Sequence, residues 1–517
     1  MSGHDGAPAA EPEAADGSAR SLGQAALHSA RWLSLSRVAV ELTAFAGSVV
    51  LARLLTPAEF GYAAIVLTLA GLAAAATTQG VGTPLVQARE PTARQLEAAM
   101  GASLAVGVTG ALTTFLGASL LSSLLGSNIT PLLQLMSVIF LFCAVAAVPD
   151  AMLQRRLDFR RLSMIDVLAM LASIATALGC AWVGLGAESI VIGSLVLTGT
   201  TAALLVAAAR PPRPRWHSHE IRELARFGLP ACGATLAYTA SRNIDYVIVG
   251  ARLGAAQTGL YYRAYQLGVE YQSKVSGILV RVALPLFSRA TDPDELRELR
   301  HRIVRLHAVV LLPLLGLLVV IGPTFVPWLY GPPWAGAGEL VQWLAVAGMA
   351  ATIATGTGPL MMATGHPRAL WHYNVGSLVV FALVIYMASG ESVETVAIVV
   401  TLFRIASLLA TQYLLVERLV GIRLIDTLRD DVLPASVPTV ALIGAAFPAL
   451  SLLEAAEIPT FLALAGTTIA GLTVYWAVLW LLFPNARADF QRLAKRFLPN
   501  RTAAAPAPSS TGPDSSP

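Results

Sequence analysis

Lysine is nearly missing from this chain: Lys274 and Lys495 are the only two, in 517 residues that carry 35 basic side chains in all. Cysteine is scarce as well, and Cys143, Cys180 and Cys232 each fall inside an apolar stretch. None stands in a C-x-x-C spacing or in register with histidines. That excludes a disulfide scaffold or a cysteine-built metal site and leaves buried free thiols. Charge of either sign is low, at 13% of residues, which is roughly half of what a soluble chain of this size carries. No basic segment followed by a short apolar core opens the sequence, so residues 1–27, rich in Ala, Pro, Gly and Glu, do not read as a signal peptide.

Catalytic motifs are lacking too. There is no glycine-rich phosphate loop ending in Lys and Ser or Thr, no H-E-x-x-H and no G-x-S-x-G. His217-Ser218-His219 is a lone H-x-H in a polar loop and reads as solvated loop. The chain is therefore expected not to be an enzyme and to need no cofactor or metal. Without a nucleotide site, any transport would be secondary or passive.

What the chain has in abundance is apolar sequence. Hydrophobic residues make up 56% and the mean hydropathy is +0.66. About twenty consecutive apolar residues cross a bilayer as a helix, and such stretches recur between short polar breaks. Backbone groups in lipid must be satisfied internally, by helices or a closed barrel. Runs such as 311–321 and 396–400 are continuously apolar rather than alternating, which argues for helices. The expected fold class is an all-α polytopic membrane protein with about 14 transmembrane helices. Their predicted limits are 33–54, 60–86, 96–124, 132–153, 163–185, 188–209 and 228–251, then 258–284, 303–329, 338–363, 369–389, 393–416, 433–453 and 459–483. Arg31, Trp32 and their apolar neighbours read as an interfacial helix leading into the first span.

The distribution of charge tests this count. Inner loops of membrane proteins collect Lys and Arg. Every second predicted loop here does so, through Arg89 and Arg94, then Arg155, Arg156, Arg160 and Arg161, then Arg210, Arg213, Arg215, Arg222 and Arg226, and so on to Arg487 and Lys495. The loops between them carry Glu59, Glu188, Glu339, Glu391, Glu394, Glu454 and Glu457. The alternation places both termini in the cytoplasm. It also makes the basic residues topology signals, so nucleic acid is not expected as a partner.

An internal repeat is visible across six spans. Span one ends in Ala52-Arg53-Leu54 and is followed by Phe60-Gly61-Tyr62; span seven ends in Ala251-Arg252-Leu253 and is followed by Gly259-Leu260-Tyr261. Six is even, so both copies cross in the same direction, which implies two parallel-related six-helix lobes around a central cavity, with two extra C-terminal helices. The expected organisation is 1–27 as a disordered cytoplasmic N-terminus, 28–210 as the N-lobe and 211–227 as a cytoplasmic linker. The C-lobe follows over 228–416, spans 13–14 over 417–485, and a cytoplasmic tail over 486–517, disordered at its end.

The stretch from Leu51 to Gly61, Leu-Ala-Arg-Leu-Leu-Thr-Pro-Ala-Glu-Phe-Gly, resembles the first outer loop of bacterial polysaccharide transporters. Arg242-Asn243-Ile244-Asp245, Val249-Gly250, Leu253-Gly254, Gly259-Leu260-Tyr261 and Ala264-Tyr265 fit the same pattern, as do Leu153-Gln154-Arg155 and Leu157-Asp158-Phe159. On these residues the chain resembles the Wzx-type flippases of the multidrug/oligosaccharidyl-lipid/polysaccharide exporter superfamily over about 28–485. The resemblance implies export of undecaprenyl-pyrophosphate-linked glycans for O-antigen (lipopolysaccharide), capsule or exopolysaccharide across the bacterial inner membrane. It also implies a V-shaped cavity and rocker-switch alternating access. The implied partners are the lipid-linked glycan and membrane lipids, with polysaccharide polymerase and export proteins beyond them; the oligomeric state is left open. A lipid II flippase or a drug antiporter of the same superfamily is the alternative. A membrane glycosyltransferase or polymerase is disfavoured by outer loops too short for a catalytic site.

Ionisable residues inside spans are the candidate site, since each costs at least about 2.5–3.5 kcal/mol at the bilayer centre unless paired or facing water. Arg242 and Asp245 lie three apart on one face of span seven, as an internal pair or a cavity group. At 100° per residue Arg263, Glu270, Lys274 and Arg281 fall near one line of span eight, with Gln266 beside it. That stripe is expected to face a water-filled cavity. Arg404 lies mid-span in helix twelve. For the pyrophosphate that the resemblance implies, Arg242, Arg263, Lys274 and Arg404 are the candidate cations, with Asp245 and Glu270 as possible coupling or pairing acids. Glu41 and Asp166 are candidates for pairing or for coupling to an ion, proton or sodium. Arg53 and Arg252 sit at helix ends and read as anchors.

Overall fold

The structure is a computed structural model, and it describes residues 39–87, 91–125, 128–290, 292–484 and 487. The 1–27 segment, the interfacial helix expected around Arg31 and Trp32, and nearly all of the 486–517 tail lie outside them. Among the described residues the chain is helical and has no strand. We label the helices α1 (39–54), α2 (Pro57–Val86), α3 (Ala93–Leu124), α4 (Thr130–Arg155), α5 (Phe159–Trp182), α6 (Ala187–Ala209) and α7 (Ser218–Leu253). They continue as α8 (255–289), α9 (Pro293–Tyr330), α10 (Pro332–Ala363), α11 (Pro367–Ala388), α12 (Val393–Val420), α13 (Leu424–Ala455) and α14 (Thr460–Leu482).

Local chemistry sets the helix limits. Thr92 caps α3 in a capping box, its hydroxyl accepting from the Gln95 N–H while the Gln95 side chain accepts from the Thr92 N–H. Asp158 caps α5 through the N–H of Arg161. Between α7 and α8 the chain reverses on one residue, Gly254, whose φ of 84° a side chain would oppose.

Eleven helices among the described residues are long and apolar enough to cross a membrane, so the chain is a multi-pass helical membrane protein. The three that fall short are α1, described only from residue 39, and α7 and α8. Those two lose hydropathy to several charged residues: Arg242 and Asp245, with Arg252 at its end, on one, and Arg263, Glu270 and Lys274 on the other. Hydropathy alone therefore supports eleven of the fourteen expected crossings.

The chain packs as two compact units. The first comprises Met1–Leu267, Pro323–Leu344 and Val375–Phe403, and so takes in helices from both halves of the sequence repeat. The second comprises Gly268–Gly322, Ala345–Asn374 and Arg404–Pro517.

Lipid offers little hydrophobic drive between helices, so packing here uses small residues and hydroxyl-to-carbonyl bonds. In the first unit, Ser103 Oγ donates to the Ala144 carbonyl at 2.8 Å, joining α3 to α4, and Ser173 Oγ donates to the Gly193 carbonyl at 2.7 Å, joining α5 to α6. In the second, Gly471 lets α14 approach Leu442 and Ala446 of α13, and Tyr475 donates to the Val309 carbonyl of α9 at 2.9 Å.

Within the first unit the turns sort by charge. Residues near 55, 186, 254, 331 and 390 gather at one end, shown by contacts of Glu59 with Gly186, Gly61 with Ala255, Ala52 with Trp334, and Arg252 with Gly390. Glu59, Glu188 and Glu391 lie there. At the other end Arg155 donates to the Leu85 carbonyl at 2.9 Å, and the Arg215 N–H to the Glu97 carbonyl at 3.2 Å. We call these the acid-rich and arginine-rich ends.

Candidate functional site

At the acid-rich end of the first unit α1, α2, the start of α8, the end of α9 and the start of α10 pack into one junction. At its centre is Arg263, 1% exposed. Its guanidinium carbon lies 4.1 Å from the ring centroid of Phe60, 5.2 Å from that of Tyr330 and 5.8 Å from that of Trp334. One Nη donates to Gln266 Oε1 at 2.7 Å and the other to the Ser48 carbonyl at 3.1 Å. Nε has no hydrogen-bond partner among the described residues, and no described carboxylate forms an ion pair with this cation. A buried charge held only by rings and neutral oxygens is an expensive arrangement.

Main-chain groups hold the surrounding wall. Trp334 Nε1 donates to the Ala52 carbonyl at 2.8 Å, and Phe60 meets the Trp334 ring edge-on at 5.2 Å. Arg53 donates to the Leu329 and Trp328 carbonyls, each at 2.9 Å, and so caps the end of α9. Beside them α2 and α8 cross with no side chain between. A Cβ on Gly61 would overlap the Ala255 carbonyl, and one on Gly259 the Pro57 carbonyl.

Behind this crossing, Asp245 of α7 is 1% exposed. Its carboxylate accepts from Tyr261 Oη at 2.8 Å and from the Tyr246 N–H at 3.1 Å. Tyr246 packs edge-on against the rings of Tyr261, Tyr262 and Tyr265 at 5.3–5.9 Å.

The structure does not keep the expected stripe of α8 on one line. A π-turn over Gln266–Glu270 takes an extra residue for its turn, about 100° of register. Arg263 is buried, Glu270 is half-buried, and Lys274 is exposed with its ammonium 5.2 Å from the Tyr271 ring centroid. The side chain of Arg281 is outside those described. Arg242 and Arg404 are half-buried, and Glu41 and Asp166 are exposed on their helices. Arg53 and Arg252 are exposed at helix ends, as expected of anchors; Arg252 stacks on Tyr386 at 4.7 Å.

Sequence reading missed the aromatic box. Phe60 stood inside a quoted motif, but Tyr330 and Trp334 carried no signal beyond being aromatic at predicted helix ends. It also missed a polar cluster wholly within the second unit. Asp431, fully buried, accepts from Arg300 at 3.2 Å and pairs with His301 Nδ1 at 2.8 Å. Arg300 also donates to Gln412 Oε1 at 2.6 Å and Thr427 Oγ1 at 3.1 Å. Gln412 and Asp431 both sit in π-turns, which turn their side chains out of the α-helical register.

Known proteins place this architecture. Lipopolysaccharide biosynthesis protein WzxC of Escherichia coli (strain K12) is 24% identical over 69% of this chain and 73% of its own. Teichuronic acid biosynthesis protein TuaB of Bacillus subtilis (strain 168) is 23% identical over 75% of this chain and 81% of its own. Among solved structures, the lipid II flippase MurJ in an inward closed conformation superposes with a TM-score of 0.72 at 11% identity, covering 90% of this chain and 99% of that one. An inward-facing multidrug resistance MATE family transporter of the MOP superfamily superposes with a TM-score of 0.60 at 14% identity, covering 74% and 95%. These two likenesses establish the fold. With a match over residues 50–339, a stretch that holds Arg53, Phe60, Gly61, Arg263 and Trp334, the chain belongs to the polysaccharide biosynthesis protein family.

Proposed function

We propose that the protein is a flippase that moves an undecaprenyl-pyrophosphate-linked oligosaccharide from the cytoplasmic to the periplasmic face of the bacterial inner membrane by alternating access. In this reading α1–α6 and α7–α12 form two lobes, both termini are cytoplasmic, and the acid-rich end faces the periplasm. Polysaccharide polymerase and export proteins then act on what it delivers. The names of WzxC and TuaB support the pathway, and the fold shared with MurJ and a MATE transporter supports the transport cycle.

The observation that carries the proposal is the close-packed junction around Arg263. Helices at equivalent places in the sequence repeat, α2 and α8, cross there through bare backbone, so they can part without unthreading side chains. The cation enclosed beside them has no acid partner among the described residues. Parting the junction hydrates Arg263, and an anionic head group offers it the phosphate oxygens its guanidinium fork matches. Arg263 is thus proposed as part of the outer gate when closed and as a cargo ligand when open. Arg242, Lys274 and Arg404 are the other cations proposed to meet the head group. Glu41 and Asp166 are proposed for coupling to a proton or sodium.

The test is reconstitution in proteoliposomes with a fluorescent polyprenyl-pyrophosphate oligosaccharide and a membrane-impermeant quencher. Time-dependent movement of the label between leaflets is expected. A label that stays in its leaflet, while a cationic drug crosses, would replace this reading by the antiporter.

A further inference from the structure

At the arginine-rich end of the first unit, the α4–α5 turn and the end of α6 flank an open recess of about 570 Å³, lined by Arg156, Arg161, Ala207, Ala208, Ala209 and Arg210. One water occupies about 30 Å³ of liquid, so the space suits a head group rather than a lone ion. The backbone around it is strained. Leu157, next to Arg156, and Arg210 itself adopt φ of 54° and 49°, a left-handed conformation that non-glycine residues avoid.

Two kinds of unmet hydrogen-bonding capacity meet there. Arg161 is occupied, its Nε 3.1 Å from Asp158 Oδ2. Arg156 and Arg210 have no side-chain partner among the described residues and carry the uncompensated charge. On the opposite wall, helix carbonyls accept from the N–H four residues on. For Ala207 and Ala208 those residues are Pro211 and Pro212, which have none. The N–H of Arg210 is spent on the Val206 carbonyl at 2.9 Å. The recess therefore sets guanidinium donors beside carbonyl acceptors that the helix cannot satisfy.

We propose that this recess binds a phosphate ester whose own head carries hydrogen-bond donors, as phosphatidylglycerol does. The phosphate lies between Arg156 and Arg210, and the head's hydroxyls donate to the Ala207 and Ala208 carbonyls. A helix end beside clustered arginines is the level at which phospholipid head groups lie. Only the assignment to the cytoplasmic leaflet rests on the transport reading. The sugar pyrophosphate of the proposed cargo presents the same chemistry, so the test separates the two sources.

Purified full-length protein, stripped of lipid, is titrated with phosphatidylglycerol and phosphatidylcholine, and retained lipid is counted by native mass spectrometry. A preference of roughly tenfold for phosphatidylglycerol is expected. It should vanish in R156Q/R210N, where asparagine tolerates the left-handed backbone, and persist in R222Q/R226Q on α7. Melting temperature checks the fold, and R156Q alone, at an exposed side chain, serves should the double variant misfold. Equal retention of both lipids, or a preference that survives in R156Q/R210N or in R156Q alone, overturns the proposal. Displacement of phosphatidylglycerol by a polyprenyl-pyrophosphate disaccharide assigns the recess to the cargo's head; resistance to it assigns the recess to the bilayer phospholipid. Binding is read without transport, so failure of the flippase reading and failure of this one are separate results.

Discussion

Gly61 and Gly259 make the same contact in opposite directions: each rests its Cα against the carbonyl of the residue four before the other, Ala255 in one case and Pro57 in the other. That reciprocity is what a two-fold relation between repeated elements produces at its axis. The sequence repeat pairs these same glycines, Gly61 eight residues after Arg53 and Gly259 seven after Arg252.

The first prediction concerns that crossing. The obstructing atom is a main-chain carbonyl, so no rotamer can relieve a side chain placed at either glycine. Gly61→Leu should force α2 and α8 apart and bias the protein toward an open acid-rich end. Ala52→Cys, buried in the closed junction, would be labelled by an impermeant maleimide in a background without native cysteines. Faster labelling in the Gly61→Leu variant is expected; an unchanged rate would mean that the crossing is not a gate.

Arg263 gives the second. Removing it forfeits cation–π contacts worth about 2 kcal/mol when desolvated. It also removes a buried charge that costs at least about 2.5–3.5 kcal/mol in the membrane. The hydrogen bonds to Gln266 and Ser48 are lost as well, so Arg263→Met should melt modestly below the parent, by about 2 kcal/mol, while losing transport. Arg263→Lys keeps the charge but not the flat stacking surface, and should lose stability instead. A large loss of melting temperature in Arg263→Met, with transport intact, would leave the residue as scaffold.

Asp431 behaves otherwise, because it is paired. Asp431→Asn leaves Arg300 buried without its carboxylate and with His301 and Arg305 close by, and breaking such a pair costs about 3–5 kcal/mol. Replacing both, as Arg300→Met with Asp431→Leu, should restore much of that loss. Thermal melting of the purified protein checks both variants. If Asp431→Asn melted like the parent, the cluster would not be what ties the start of α9 to α12 and α13 within the second unit.

Topology is the fourth. With acid-rich turns outside, a cysteine at Gly336 should react with an impermeant reagent applied from the periplasm, and one at Ser218 should not. The reverse pattern would invert the proposed orientation.

How far the sequence carried the reading differs by level. Helical spans were legible because hydropathy is a local, additive property, and a helix in lipid satisfies its own backbone. The sorting of turns by charge was legible for the same reason: Glu59, Glu188 and Arg155 each declare an end without reference to a partner. The repeat and the family were legible in short motifs, Ala-Arg-Leu and the glycine after it.

What each buried charge touches was decided only by the tertiary structure. Arg263 and Lys274 share a line on an ideal helix, yet a π-turn between them breaks the line, and no periodicity in Gln266–Glu270 announces it. The box around Arg263 is assembled from Ser48, Phe60, Tyr330 and Trp334, and the cluster at Asp431 from Arg300, His301, Gln412 and Thr427. Residues so far apart in the chain meet only through the packing of whole helices. The sequence by itself determined which segments form apolar helices and which end of the first unit is basic, since those follow from transfer free energies of nearby residues. Which cations are enclosed and which are open depended on helix-to-helix contacts, where a bare glycine or one extra residue in a turn changes the neighbour of every side chain beyond it.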